Sequence, residues 1–290
     1  MNSAFIAIDW GSTNRRIYLI VQGKVVRSER DDTGALAMAG TGYGEEIASI
    51  RIEYGDLPIL LAGMVGSSLG WTDAGYIGLP AAIPELAGGL HWIDDRIAIV
   101  PGLCIDDRDR VDVMRGEEVQ LLGAVTKSLV PHDAWLCQPG THCKWAEVRD
   151  GKITDFVTSM SGELFAMLRK SGVLAHHLTG AVQYNDAFTH GVVEGAGRDL
   201  AASLFSVRSL SVLGKLPDGD ASSYASGILI GSDVACRLRK VGEAPVYILA
   251  DEELGGLYRR AVLMLGGKAT LIDSHEAFVA GITAIWDMSQ

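Results

Sequence analysis

Two stretches of this 290-residue chain follow one plan, and that repetition limits the folds open to it. In each, an apolar run enters a polar loop containing glycine, a second strand-like run follows, and an X-Gly turn folds back a third. The first copy runs from Phe5-Ile6-Ala7-Ile8 through Asp9-Trp10-Gly11-Ser12-Thr13-Asn14 into Ile17–Val21, then turns at Gln22-Gly23 into Lys24–Ser28. In the second, Ala134–Cys137 leads through Gln138-Pro139-Gly140-Thr141-His142 into Lys144–Val148, and Asp150-Gly151 turns the chain into Ile153–Thr158. Alternating apolar residues bounded by such turns are hairpin signals. The loop glycine precedes the hairpin glycine by 12 positions in one copy and 11 in the other, and the loops lie 129 residues apart. Two copies are too few for a solenoid but suit two related domains. At roughly 150 residues per domain, length alone gives the same number.

Between these strands the spacing predicts helices over 117–129, 162–178, 225–241 and 252–265, with a final helix after Ser274 as its N-cap. Val246–Leu249 reads as a buried strand. The mixture is α/β, with two domains, 1–128 and 129–290, divided near the polar stretch around Pro131. Gly227 and Gly231 fall on one helical face and allow a neighbour to approach closely. They belong to an excess: 35 glycines in 290 residues is about 12%, against about 7% on average.

Several function classes drop out. A net charge of −11 argues against a nucleic-acid surface, which needs basic patches. No apolar run approaches the roughly 20 residues that span a bilayer, so no membrane partner is expected. The segment from Met1 has no basic n-region, and Asp9 interrupts it. Cys104, Cys137, Cys143 and Cys236 form no Cys-x-x-Cys pair, which suits reduced thiols in the cytoplasm.

The loops carry the chemistry. Asp9 closes a strand just before Gly11, Ser12, Thr13 and Asn14, so its carboxylate can hold hydrated Mg²⁺ while free N–H groups face an anion. An ordinary turn would use the same residue types. The echo in Gly140, Thr141, His142 and Lys144 adds weight, since two such loops would grip a polyphosphate from both sides of an interdomain cleft. Neither loop has the P-loop or Rossmann signature. His176 and His177 make a poor metal pair, and core packing accounts for the cysteines flanking the second loop.

The pair of loops resembles the phosphate loops of the sugar kinase/heat-shock-70/actin superfamily. The whole chain more closely resembles the 2-dehydro-3-deoxygalactonokinase family. The matching segments are Asp9–Asn14, Ala62–Ser67 with Gly70-Trp71, Val100–Leu103, Asp112–Gln120, Gln138–Trp145, Ser161–Phe165 and Ser226–Gly231. Arg115-Gly116-Glu117-Glu118 and Pro139-Gly140-Thr141-His142 are the specific ones. The resemblance implies two related domains of the actin-like ATPase (ribonuclease H-like) fold. It implies ATP and Mg²⁺, and transfer of the γ-phosphoryl group to the 6-hydroxyl of 2-dehydro-3-deoxy-D-galactonate in galactonate breakdown. There are departures: Gln138-Pro139 replaces the wider Asp-x-Gly-Thr pattern, Cys143 stands where Ser is expected and Ala225 where Leu is. Ala250–Gly256 replaces the superfamily's adenosine Gly-Gly.

Such a substrate needs a cation for its carboxylate. Arg115 is the first choice, because its planar fork matches a carboxylate, with Arg15 and Arg16 also beside the loops. Ser67, Trp71 and Tyr76 suit a substrate-binding loop, or a loop anchored by buried aromatics. For the carboxylate that accepts the hydroxyl proton, Asp112 and Glu117 compete, while Glu118 reads as a first-turn residue favoured by the helix dipole. A kinase for another sugar or sugar acid, and an actin- or chaperone-like nucleotide switch, are the alternatives. Oligomeric state stays open, a homodimer included.

Overall fold

The computed structural model describes residues 4–38 and 42–290, so the first three residues of the segment read for a leader lie outside it. The chain divides into two compact units. One comprises the chain through Asp133 with Ala146–Phe156 and Asp273–Gln290; the other comprises Ala134–Trp145 and Val157–Ile272.

In chain order the first stretch contains β1 (Ala4–Trp10), β2 (Arg15–Val21), β3 (Lys24–Asp31), α1 (Ala35–Met38), α2 (Tyr43–Tyr54) and β4 (Ile59–Gly63). Then come β5 (Tyr76–Gly78), α3 (Ile83–Gly88), β6 (His91–Asp94), β7 (Ile97–Ile99), β8 (Gly102–Asp106), β9 (Val111–Met114) and α4 (Glu117–Thr126). The second stretch contains β10 (Ala134–Gln138), β11 (Cys143–Arg149), β12 (Lys152–Ser159), α5 (Ser161–Lys170), α6 (Asp186–Gly197) and α7 (Leu200–Val212). It continues with α8 (Ala221–Val241), β13 (Pro245–Leu249), α9 (Glu252–Met264), β14 (Lys268–Ile272) and α10 (Ser274–Ser289).

The repeat is present in the sheets. One runs β3-β2-β1-β4-β7-β6 and the other β12-β11-β10-β13-β14, so each places a two-hairpin meander beside a parallel strand. β1 pairs antiparallel with β2 and parallel with β4, and β10 is parallel with β13. Both X-Gly turns are left-handed at both positions, with φ of 52° and 70° at Gln22-Gly23 and 51° and 76° at Asp150-Gly151. That geometry matches the twist of antiparallel strands. β4 is buried throughout and β1 is buried from Phe5 through Ile8, as expected of strands covered on both faces. A third sheet, β5-β8-β9, leads the chain into α4.

Glycine allows the helices to touch. A Cβ on Gly123 of α4 would lie 2.0 Å from the carbonyl oxygen of Ala277, and one on Gly281 of α10 would lie 2.0 Å from that of Val119. In the other unit, Cβ atoms on Gly227 and Gly231 of α8 would each come within 2.3 Å of carbonyls of α6, at Phe188 and Val192.

Some boundaries differ from the sequence expectation. The helix expected over 117–129 stops at Thr126, and Ser128 turns left-handed at φ 59°. The one expected over 162–178 stops at Lys170 because Gly172 takes φ 82°, which leaves His176-His177 in irregular turns. The N-cap of α10 is Asp273 rather than Ser274: its carboxylate accepts from the N–H groups of His275 and Glu276.

Candidate active site

The site begins where two parallel strands end together. Asp9 lies opposite Ala62 and Trp10 opposite Gly63. Gly63 has φ 95°, and a Cβ there would lie 2.7 Å from the carbonyl oxygen of Trp10. Gly116, with φ 103°, sits directly on it, its hypothetical Cβ 3.0 Å from the Gly63 Cα. Two facing glycines thus let the start of α4 rest on the end of β4 with no side chain between them.

That contact brings Glu117 into the field of Asp9. Burial, and next the charge of Glu117, push the Asp9 carboxyl up to about 6, while Arg16 on the neighbouring strand opposes the shift. Two acids held together in a poorly solvated place repel each other, and a cation at Asp9 would relieve that repulsion.

Residues 115–118 form a tightly folded turn. Glu117 Oε2 accepts from the Arg115 N–H at 3.0 Å, and both Glu118 oxygens lie 2.8 Å from the Gly116 nitrogen. Arg115 is buried. Its Nη2 donates to the Gly75 carbonyl at 3.1 Å and to Asp73 at 3.3 Å, and its guanidinium lies 4.2 Å over the Tyr76 ring. Its Nε and Nη1 are buried without a hydrogen-bond partner. Asp112 sits apart on β9, where its carboxylate accepts from the adjacent Val113 N–H.

Other expected residues are committed locally. Arg15 donates to both oxygens of Asp31 and, at 2.5 Å, to Glu46, with its guanidinium 4.9 Å over Trp10. Trp71 stacks on Tyr43 with ring centroids 5.7 Å apart, so it anchors its loop to the core of its unit. The Ser67 hydroxyl donates to the Met64 carbonyl and holds the same loop.

In the first loop, the carbonyls of Gly11 and Ser12 accept from Ala35 and Leu36, and Gly34 packs so tightly on Ser12 and Thr13 that no Cβ would fit. Thr13 is exposed at the tip, with the Asn14 amide 3.4 Å from its hydroxyl.

The second loop rests on the N-terminus of α5. Glu163 N–H donates to the Thr141 carbonyl, and a Cβ on Gly162 would lie 2.3 Å from the Gly140 oxygen. His142 Nε2 meets Glu163 Oε2 at 2.7 Å. Lys144 is buried on β11 and donates to Thr158. Beneath the loop a small cavity of about 70 Å³ is lined by Gly140, Gly162, Phe165, Ser226, Leu254 and Tyr258 among others. Cys137 and Cys143 are free, buried thiols with sulfurs 3.7 Å apart.

Three features escaped the sequence reading: the contact between Gly63 and Gly116, the burial of Glu118, and Glu163 as partner of His142. Gly63, Gly116, Glu118 and Glu163 all stand inside segments already singled out, but Gly63 meets Gly116 and Glu163 meets His142 across long stretches of chain, and the burial of Glu118 depends on packing.

The chain matches the 2-keto-3-deoxy-galactonokinase family over residues 9–285. It is 36% identical over 289 residues to the 2-dehydro-3-deoxygalactonokinase of Escherichia coli K12, with 98% of each chain covered. A crystal structure from Sinorhizobium meliloti, described provisionally as a 2-dehydro-3-deoxygalactonokinase, superposes with a TM-score of 0.90 at 34% identity, covering 97% of both chains. Component A of the (R)-2-hydroxyglutaryl-CoA dehydratase of Acidaminococcus fermentans shares the fold at a TM-score of 0.54 and 14% identity, over 99% of both chains.

Proposed function

The chain belongs to the 2-keto-3-deoxy-galactonokinase family, and from that premise we propose how its residues phosphorylate a keto sugar acid. It is an ATP-dependent carbohydrate kinase, transferring the γ-phosphoryl group of ATP to the 6-hydroxyl of 2-dehydro-3-deoxy-D-galactonate. One observation carries the assignment of the reacting groups: Asp9 and Glu117, 108 positions apart, share one electrostatic environment at the ends of β1 and β4.

Glu117 is the base. Its carboxylate receives the proton of the 6-hydroxyl as that oxygen forms its bond to phosphorus and the bond between phosphorus and the ADP oxygen breaks. Proximity to Asp9 favours Glu117 over Asp112, which sits out on β9. The guanidinium of Arg115, stacked over the ring of Tyr76, supplies the positive charge that the substrate carboxylate requires. In each unit a loop offers backbone N–H groups to phosphate oxygens, Gly11–Asn14 in one and Gly140–His142 in the other.

Mg²⁺ fits Asp9. The ion takes oxygen ligands, keeps several waters, and binds through one or two carboxylates together with substrate phosphates. Among the described residues no group of three or more His, Cys, Asp or Glu stands ready to hold a metal. When bound, it neutralises charge on the transferred group.

An ADP-release assay tests the assignment, with 2-dehydro-3-deoxygalactonate, its gluconate analogue, a plain aldose, and no acceptor. Turnover that requires the keto sugar acid is expected; ADP release at the same rate without acceptor overturns it. Glu117→Gln lowers kcat at least about 100-fold with the KM for ATP preserved, whereas Asp112→Asn stays within a few-fold of wild type.

A further inference from the structure

We infer that Glu118 is a positioning residue for the phosphoryl transfer, acting as the hydrogen-bond acceptor that holds the Arg115-Gly116-Glu117 turn through the Gly116 N–H. The inference rests on Glu117 being the base. The side chain of Glu118 is wholly removed from solvent, and among the described residues no cation lies within ion-pair distance of it. Its contact is with backbone: both oxygens lie 2.8 Å from the Gly116 nitrogen. A first-turn acid placed to favour the helix dipole would stay in water, where charge costs little. This one is buried inward.

The Gly116 N–H belongs to a residue with a left-handed backbone, φ 103° and ψ −40°, pressed onto Gly63. Glycine takes such a backbone without strain, but a buried amide there still needs an acceptor. Glu118 is that acceptor. The same turn directs Arg115 and Glu117 to opposite duties: Glu117 bonds back to the Arg115 N–H, while the Arg115 side chain runs to Gly75, Asp73 and Tyr76. Releasing Gly116 would let both reacting groups drift, and misplacement by about 1 Å can cost about 100-fold in rate.

Burial, and next the charge of Glu117, push the Glu118 carboxyl up to about 8. A glutamine of the same length keeps a carbonyl oxygen that can accept the same bond. That separates positioning from acid–base chemistry, which an amide cannot perform.

The test is steady-state kinetics on Glu117→Gln, Glu118→Gln and Glu118→Leu, with thermal melts and circular dichroism to establish folding. Glu118→Leu, folded, should lose at least tenfold in kcat at an unchanged KM for ATP, and Glu118→Gln should recover at least fivefold of that loss. A smaller loss in Glu118→Leu, or a Glu118→Gln no better than leucine, overturns the inference. If Glu118→Leu does not fold, Glu118→Asp replaces it: the shortened carboxyl cannot reach Gly116, so its kcat should fall tenfold, and a wild-type rate overturns the inference. Glu117→Gln keeps the two readings apart. Wild-type activity in that variant would refute Glu117 as base, whatever the Glu118 variants do.

Discussion

Replacing Asp9 with Asn should make the metal-free protein more stable while abolishing catalysis. Folding raises the Asp9 pKa from 3.8 to about 6, so the folded chain holds a proton between those values that the unfolded chain has released. Stability therefore falls as pH rises through that window, and above about 6 the full cost is present. A shift of about 2 units corresponds to roughly 3 kcal/mol. The carboxyl keeps some contact with water, which screens part of this and leaves about 1–2 kcal/mol. Asn has no charge to bury. In EDTA, Asp9→Asn should melt roughly 2–6 °C above wild type at pH 7.5, with the gap closing towards pH 4 and constant above about pH 6. In a Glu117→Gln background the gap should shrink, because the second cause of the shift is removed. The same variant should lose at least about 100-fold in kcat. An Asp9→Asn protein that melts below wild type at pH 7.5, or a gap that ignores pH between 4.5 and 7, would refute the electrostatic argument.

Two steric predictions accompany it. Gly281→Ala places a Cβ 2.0 Å from the Val119 carbonyl, so α4 and α10 must separate, at a cost of about 2–3 kcal/mol in denaturant unfolding; wild-type stability would contradict the packing. Gly162→Ala puts a Cβ 2.3 Å from the Gly140 oxygen and should displace the second loop, raising the KM for ATP about tenfold. An unchanged KM for ATP would mean that this joint does not position the nucleotide.

Much of the fold was legible in the sequence because the signals are local. Gln22-Gly23 and Asp150-Gly151 mark hairpins through the left-handed φ their turns require, and both adopt it. Gly227 and Gly231 announced a close helix contact by their spacing, although the partner, α6, could not be read from it. Helix α7 was opaque: it buries Ser203 and Val207 while leaving Phe205 and Val212 exposed, so its apolar residues do not mark one inward face. Helix ends were missed where a single left-handed residue, such as Gly172, stopped the run.

The site divides the same way. Local chemistry alone pointed to Asp9 with its glycine loop, the second loop at Gly140, and Arg115 with two acids at a helix start as candidates. The sequence alone left Asp112 and Glu117 as competitors and read Glu118 as a first-turn residue favoured by the helix dipole, because neighbours along a chain differ in environment only once the chain is packed. Arg15, a secondary candidate from the sequence, is held by Asp31 and Glu46.

The repeated strand, loop and hairpin were determined by the sequence itself, since alternation and turn chemistry act over a few residues. The meeting of Asp9 with Glu117, and the burial of Glu118 beside them, were decided by tertiary structure. They depend on Gly63 and Gly116 resting against each other, and no local signal records which distant backbone will fill the space a missing side chain leaves.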